Sequence, residues 1–409
     1  MTIRPYDAEK DREAVARIWR EVGWIEDEKE EKGLDVFLQC GRSLIGELNG
    51  EAECMANTDP GSMKYQDEEV PACCVTGVTT SRVARKQRLA TSVTAEALRL
   101  AAEDGHAVAM LGIFDQGFYD RLGFGTGSYE HWYTFDPAQL KNVGSPRIPI
   151  RLTKDDWDEM HACRLRRHRS HGSVSILSPE LTRSEAIWST NGFGLGYRDR
   201  SGTLTHHVWC STKDPEGGPY RIAWMACRTR EEFLELLGLL RNLGDQVHSI
   251  RMHEPGGLQM QDLLHEPFKR ERLTKASKHE HRVNAYAYLQ ARILDLHECI
   301  SRTHLTTAGV AFNLVLTDPI EDHVSPGSGW RGIGGEYTIR FDEDSEASGG
   351  LTDVLPTLRA SVGAFTRLWL GVLPATGLAW TDNLSAPEEL LAALDRSLRL
   401  PAPANDWDF

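Results

Sequence analysis

Between residues 8 and 23 the apolar side chains Val15, Ile18, Trp19 and Val22 recur at i, i+3, i+4 and i+7, and Asp7 stands where a helix N-cap belongs. That spacing predicts a helix near 8–23. A mixed segment of short strands and turns leads into the β-prone run 72–80, then a basic turn, then a second helical pattern with Val93, Ala97, Leu100 and Ala101 on one side. Gly105 is placed to end that helix as a C′ residue. The continuous apolar run 107–114 suits a strand buried on both faces, so strand, basic turn, helix and strand make a βαβ unit.

The rhythm returns later in the chain. Residues 220–227 read as a strand, and Thr229 with Glu232 forms the T-x-x-E pattern of a helix start. Phe233, Leu236, Leu237 and Leu240 give that helix an inner face, and Gly244 ends it before a strand at 247–252. The polar Gly/Pro segment 141–146 is of the kind that joins domains. From about Leu289 the pattern shifts to a helical stretch, strands near 310–316 and 335–341, and helices near 351–369 and 385–399. The last of these carries a capping box from Ser385 to Glu388 and inner-face leucines at 390, 391, 394 and 398. Residues 401–409 form a Pro-containing extended tail with Trp407 and Phe409. Three units are expected: 1–145, 146–288 and 289–409, an α+β chain with two related βαβ-containing modules and a smaller third one.

Composition agrees with several packed cores. The chain has 409 residues, 40% hydrophobic and 26% charged, and 46 basic against 60 acidic side chains leave a net charge of −14. So acidic a body argues against nucleic acid and anionic membranes as partners and favours cationic ligands. The start of the chain lacks the apolar core of a signal peptide, and the most apolar stretch, 365–380, is broken by Arg367 and Pro374, so a cytoplasmic location is expected. Eight cysteines without a CxxC pair read as reduced, packing thiols.

The basic turn carries the most chemistry. Arg85, Lys86, Gln87, Arg88, Leu89, Ala90 and Thr91 bring three cations and unpaired backbone N–H groups to a helix start, an arrangement that attracts phosphate. The equivalent turn of the second module, 228–232, puts Glu231 and Glu232 there instead and would repel it.

Val78-Thr79-Thr80 followed by 85–90 resembles the acetyl-CoA motif R/Q-x-x-G-x-G/A of the GNAT N-acetyltransferase superfamily, and 118–124 resembles the family's F/Y-Y-x-x-x-G-F segment. Two such modules, a third α+β unit and an aromatic end are the plan of the Eis-like (enhanced intracellular survival) acetyltransferases, whose third domain is similar to sterol carrier proteins (SCP2-like). Two departures stand out: Arg88 occupies the first glycine position, and 82–84 replace the residues that usually precede the arginine.

The resemblance implies an acetyl-CoA-dependent N-acetyltransferase acting on a primary amine of a cationic small molecule, aminoglycoside-like or polyamine. It implies that the main chain of Val78, Thr79 and Thr80 meets the pantetheine arm, that 86–91 hold the pyrophosphate, and that Phe114 and Asp115 lie beside the cofactor. Tyr119 is then the general acid for the departing thiolate and the carboxylate of Phe409 the base. It also implies a homo-oligomer, often a hexamer, and no metal. Lysine acetylation of a protein or peptide, and a non-catalytic acyl-CoA- or lipid-binding scaffold, are the alternatives. His297-Glu298 begins like HExxH but lacks the second histidine, the glycine cluster 192–196 reads as a turn, and His206-His207 and His279-Glu280-His281 read as surface histidines.

Overall fold

The computed structural model describes residues 2–113, 117–266, 280–306 and 309–409. The chain begins with β1 (Thr2–Pro5), α1 (Ala8–Glu21), α2 (Glu28–Phe37), β2 (Arg42–Leu48), β3 (Glu51–Tyr65) and β4 (Glu68–Thr80). Helix α3 (Leu89–Glu103) crosses over to β5 (Val108–Gly112), and β6 (Gly125–Thr126) leads into β7 (Glu130–Phe135). The middle of the chain adds β8 (Ile150–Leu152), α4 (Trp157–Leu165), β9 (Val174–Ile176), α5 (Pro179–Trp188), β10 (Phe193–Arg198) and β11 (Leu204–Ser211). It goes on to β12 (Tyr220–Ala226), α6 (Arg230–Asn242), β13 (Ile250–His253) and β14 (Arg282–Tyr286). After β15 (Leu289–Ile293) and α7 (Leu296–Ser301) come β16 (Val310–Thr317), β17 (Gly335–Phe341), β18 (Glu346–Gly349) and β19 (Thr357–Ser361). Helices α8 (Val362–Trp369) and α9 (Ala375–Thr381), β20 (Leu384–Ser385) and α10 (Glu388–Ser397) complete the described elements.

Local chemistry sets these boundaries. The Asp7 side chain accepts from the N–H groups of Glu9 and Lys10 to start α1, which buries Val15, Ile18 and Trp19. Helix α3 stops where Gly105 turns left-handed at φ +88 and its N–H reaches Ala102 O at 3.0 Å. Thr229 and Glu232 cap α6 reciprocally.

The strands form three sheets, each mixed: β1-β2-β3-β4-β5-β15-β6 with β9 added to β3, β14-β7-β13-β12-β11-β10-β8, and β18-β17-β16-β19-β20. The fold is α+β; the first two sheets each contain a parallel strand pair joined by a helical crossover, β4-α3-β5 and β12-α6-β13, and a third sheet follows. Sheets do not follow chain order. Strand β7, from the 1–145 stretch, belongs to the second sheet, and β9, from 146–288, pairs with β3 of the first. The stretch at 289–293, expected as the start of a helical third unit, is instead a strand lying between β5 and β6. Leu289, Ala291 and Ile293 face one core, while Arg292 on the other face is fully buried against Asp318 at 2.8 Å.

Three further expectations are corrected. Residues 351–361 are not helical: Pro356 disfavours helix before it, β19 pairs with β16, and the helix begins only after Ser361 caps it. No capping box forms at Ser385, which lies in β20 opposite Arg359, so α10 starts at Glu388 after Pro387. The glycines at 194 and 196 lie in strand β10, not a turn, where a side chain would collide with Leu152 and His207.

One apolar core lies on the α1/α2 side of the first sheet and runs on into the third unit. A separate core under α3 contains Val75, Leu111 and Tyr119.

Candidate active site

Strands β4 and β5 are parallel neighbours only from Ala72↔Val108 to Val75↔Leu111. Strand β4 then continues to Thr80, and among the described residues no β5 pairing follows Val75↔Leu111. The cause is local: between Thr76 and Thr79 the register against β3 slips, with Gly77 at φ +62, forming a bulge that bends β4 away. A side chain at Gly77 would press on Met55 and Phe37, each 3.0 Å from where its Cβ would sit, so both space and dihedral require glycine. Val78, Thr79 and Thr80 thus line an open V with one main-chain edge turned to β3 and the other unpaired among the described residues.

The turn that follows is tied down at its start. Ser81 N–H donates to Glu53 O at 2.9 Å, Arg82 N–H to a Glu21 carboxylate oxygen at 2.7 Å, and Ala84 N–H to Ser81 Oγ at 3.3 Å. Arg85, Lys86, Gln87 and Arg88 are exposed, and among the described residues none of the three cations is in an ion pair. Leu89 and Thr91 point into the core and Ala90 is half-buried, so those three residues offer main chain, not side chains, to a ligand. Arg88 adopts φ 62, ψ 11 at the N-cap of α3, the left-handed conformation that glycine would take at low cost. Its side chain does not cap the helix, and the first turn holds no acidic residue. At α6 the Glu232 carboxylate accepts from Arg228 N–H at 2.6 Å and Thr229 N–H at 3.4 Å, so that helix start is filled by its own chain.

Tyr119 begins a short 3-10 turn, Tyr119–Leu122, and is buried, with its ring edge-on to Phe118 and Phe124 at 4.8 and 5.9 Å. It packs with Val75 and Leu111 at the root of the V, on the α3 side of the sheet. Phe114 and Asp115 lie outside the described residues, as does His279.

The segment 401–409 runs as an extended strap across the junction of the first two sheets. Asp406 makes a two-point ion pair with Arg167 at 2.6 and 2.7 Å, and Ala404 N–H donates to His171 O at 2.9 Å. The Trp407 ring is buried beneath the Arg164 guanidinium at 3.6 Å, an arrangement worth roughly 2 kcal/mol when desolvated. Trp407 and Phe409 pack with the α1/α2-side core, while Asp406 and Asp408 face the second module, the alternation of an extended chain. The Tyr288 hydroxyl donates to the main-chain oxygen of Phe409 at 3.1 Å. Tyr288 also packs its ring against Gly112, the last residue of β5, which brings the end of the strap to the open V.

Carboxylates and guanidinium groups meet along the strap, and several titratable groups beside it are poorly solvated. Burial, reinforced by Asp408, raises the Glu130 carboxyl to about 8. Burial, with Asp408 and Glu130 adding to it, raises the Tyr288 phenol well above its ordinary range, so it acts as a hydrogen-bond donor. Burial lowers the His253 imidazole.

Motif reasoning missed Tyr288, Arg167 and Glu130, since each is a lone residue whose partner is more than 100 positions away in the chain. The histidines at 206 and 207 are buried in β11, not exposed: His206 meets Glu235 at 3.1 Å and His207 accepts from Trp224 Nε1 at 3.0 Å. All eight cysteines are free. Among the described residues, no group of three or more His, Cys, Asp or Glu is placed to hold a metal ion, and no helix is long and apolar enough to cross a membrane.

Residues 2–127 match the acetyltransferase (GNAT) domain model. The open V, the cationic turn and Tyr119 lie within that match, so this part of the chain is a GNAT N-acetyltransferase domain, whereas Glu130, Arg167, Tyr288 and the strap lie outside it. No curated protein sequence matches the chain. Solved structures share its architecture end to end. A probable N-acyltransferase from Enterococcus faecalis is 17% identical with a TM-score of 0.79, over 100% of this chain and 99% of that one. A GCN5-related N-acetyltransferase from Kribbella flavida is 16% identical at 0.75, over 100% and 98%. Eis1 from Mycobacterium abscessus is 16% identical at 0.76, over the whole of both chains.

Proposed function

We propose that the chain transfers the acetyl group of acetyl-CoA to a primary amine of a cationic small molecule, with aminoglycoside-like compounds and polyamines as the first acceptors to test. The observation that carries this reading is the released edge of β4 at Val78–Thr80, which runs straight into the exposed cationic turn Arg85–Lys86–Gln87–Arg88. The edge offers main-chain partners to a pantetheine arm and donors to an oxyanion, and the turn with the uncapped start of α3 offers charge and N–H groups to a pyrophosphate. Arg88 holds the backbone as a glycine would, so the departure from the motif leaves the shape of the turn intact and adds a cation. Leu89, Ala90 and Thr91 contribute through their main chain, and Phe114 and Asp115 are assigned beside the cofactor from the resemblance.

In the transfer the ammonium group first loses one proton, the nitrogen forms a bond to the acetyl carbon and gives up a second proton as it becomes an amide, the C–S bond breaks, and the thiolate leaves after taking up a proton. We assign acceptance of the first proton to the carboxylate of Phe409, held by Tyr288, and donation to the thiolate to Tyr119, whose phenol form is restored by the second proton from the nitrogen. The third unit, expected to be SCP2-like, serves in this reading as the platform from which the strap departs. Assembly into a homo-hexamer and a cytoplasmic location belong to the same proposal.

Calorimetric titration with acetyl-CoA, followed by thiol release with a panel of amines, tests the reading. Cofactor binding together with amine-dependent thiol release supports it, and no binding at millimolar acetyl-CoA overturns it. Appending one glycine after Phe409 tests the base: unchanged turnover removes that carboxylate from the mechanism.

A further inference from the structure

The second module has a V of its own. Strands β12 and β13 are parallel neighbours for only Tyr220↔Ile250 and Arg221↔Arg251, after which they part. A cavity of about 790 Å³ opens there, within the size range of small-molecule sites. Ile222, Ala223, Trp224 and Met225 all line it. Consecutive residues of a strand point to opposite faces, so their joint presence places the cavity around the free edge of β12 rather than over one face.

Three features define what fits. The lining is mainly apolar, with Phe233 and Met252 facing the residues of β12. The strap contributes carboxylates, Asp406 and Asp408; Asp408 has a long 3.4 Å contact with Arg221, its one ion pair among the described residues, while Asp406 is committed to Arg167. Where β12 passes into α6, exposed Arg228 and Arg230 stand at the solvent edge, and the α6 start is closed to phosphate by Glu232. An acyl-CoA is therefore a poor occupant. A second ammonium group at the solvent edge would meet two guanidinium groups, which disfavours a polycation lying along the cavity.

We propose that this second V is the acceptor's channel: it takes the apolar body of a singly charged primary amine, an aryl- or alkylamine, whose ammonium group meets Asp408 beside the end of the strap. The cofactor occupies the V of the first module and the acceptor that of the second, and the strap lies where the two meet. This rests on the amine N-acetyltransferase reading above and narrows its acceptor from polycations to apolar monoamines.

The test compares 2-phenylethylamine, spermidine and methylamine as acceptors for the full chain and for Met225→Trp, which fills the cavity. The expected result is a kcat/KM for 2-phenylethylamine at least tenfold above that for spermidine in the unaltered protein. Met225→Trp then raises the KM for 2-phenylethylamine at least tenfold, moves that for methylamine far less, and leaves acetyl-CoA affinity unchanged. Leu258→Trp, on the exposed rim, is the second filling variant should Met225→Trp not fold. Preference for spermidine, or a 2-phenylethylamine KM that neither variant moves, overturns the channel. Should no amine be acetylated, the transferase reading fails by itself. Calorimetric binding of 2-phenylethylamine then still decides the cavity: loss of binding in the filled variants supports it, and no binding to the unaltered protein overturns it.

Discussion

The Tyr288 hydroxyl donates to the main-chain oxygen of Phe409 at 3.1 Å, while its ring covers Gly112 at the tip of β5. One side chain thus joins the end of the strap to the mouth of the first V. A net hydrogen bond of about 1 kcal/mol corresponds to a several-fold change in rate, so Tyr288→Phe lowers turnover by up to about tenfold and leaves acetyl-CoA affinity unchanged. Steady-state kinetics with a parallel acetyl-CoA titration check this. Equal turnover in the two proteins would leave Tyr288 a packing residue.

Arg88 holds a left-handed conformation that costs an L-residue about 1–2 kcal/mol. Arg88→Ala keeps that cost and removes the charge, so stability stays level while acetyl-CoA binds a few-fold more weakly and with a shallower salt dependence. Arg88→Gly removes both, so it melts higher than Arg88→Ala and binds the cofactor equally weakly. Thermal melts and titrations at two salt concentrations separate the pair of variants. Identical melting temperatures would mean that the left-handed backbone is not under strain.

The strap is held by Arg167 and Asp406 more than by its own backbone. Arg167 keeps contacts to Arg164 O, Val174 O and Ser175 Oγ when Asp406 is altered, so Asp406→Asn loosens the strap and spares the body. Losing one member of a pair this well buried costs about 3 kcal/mol or more. The Ala404 amide then exchanges its hydrogen at least tenfold faster, while global melting moves by only a few degrees. Unchanged protection at Ala404 would show that Trp407 alone fixes the strap.

Glu130 sets a pH dependence of stability. Its carboxyl is raised to about 8 in the folded chain by burial, with Asp408 and then Asp406 adding to it. Between its ordinary value near 4.5 and about 8 the native state holds a proton that the unfolded chain releases. Its contribution to stability therefore falls as pH rises through that window, by at most about 1.4 kcal/mol per unit. Glu130→Gln removes the effect, so the stability of the variant relative to the parent rises from pH 5 to 8 in denaturant titrations. A difference that stays constant over this range would rule out a buried proton at Glu130.

Contiguous signals were the readable ones. The cationic turn, the Gly105 stop after α3 and the Thr229–Glu232 cap each occupy a few consecutive residues whose chemistry is local, and each is found where the sequence places it. Sheet membership was not readable. Alternation in 289–293 tells which side chains share a face but not which strands lie on either side, and the buried Arg292 disguised an inward position as a polar one. The strap could be anticipated as an extended tail with aromatic anchors, whereas Arg167 and Tyr288 carry no local mark of their distant partners. Ser385 shows the converse error: a good local cap pattern lost to strand pairing with Arg359.

The placing of β15 between β5 and β6 bears on how the protein is made. Its residues follow the whole second module in the chain, so β5 and β6 wait without their shared neighbour until residue 293 has left the ribosome. The acetyltransferase domain cannot close its sheet while the nascent chain is short, and the strap, which leaves from the last helix, docks later still. A fragment cut at residue 145 carries an unpaired edge in place of a finished active-site wall, and is expected to aggregate rather than act.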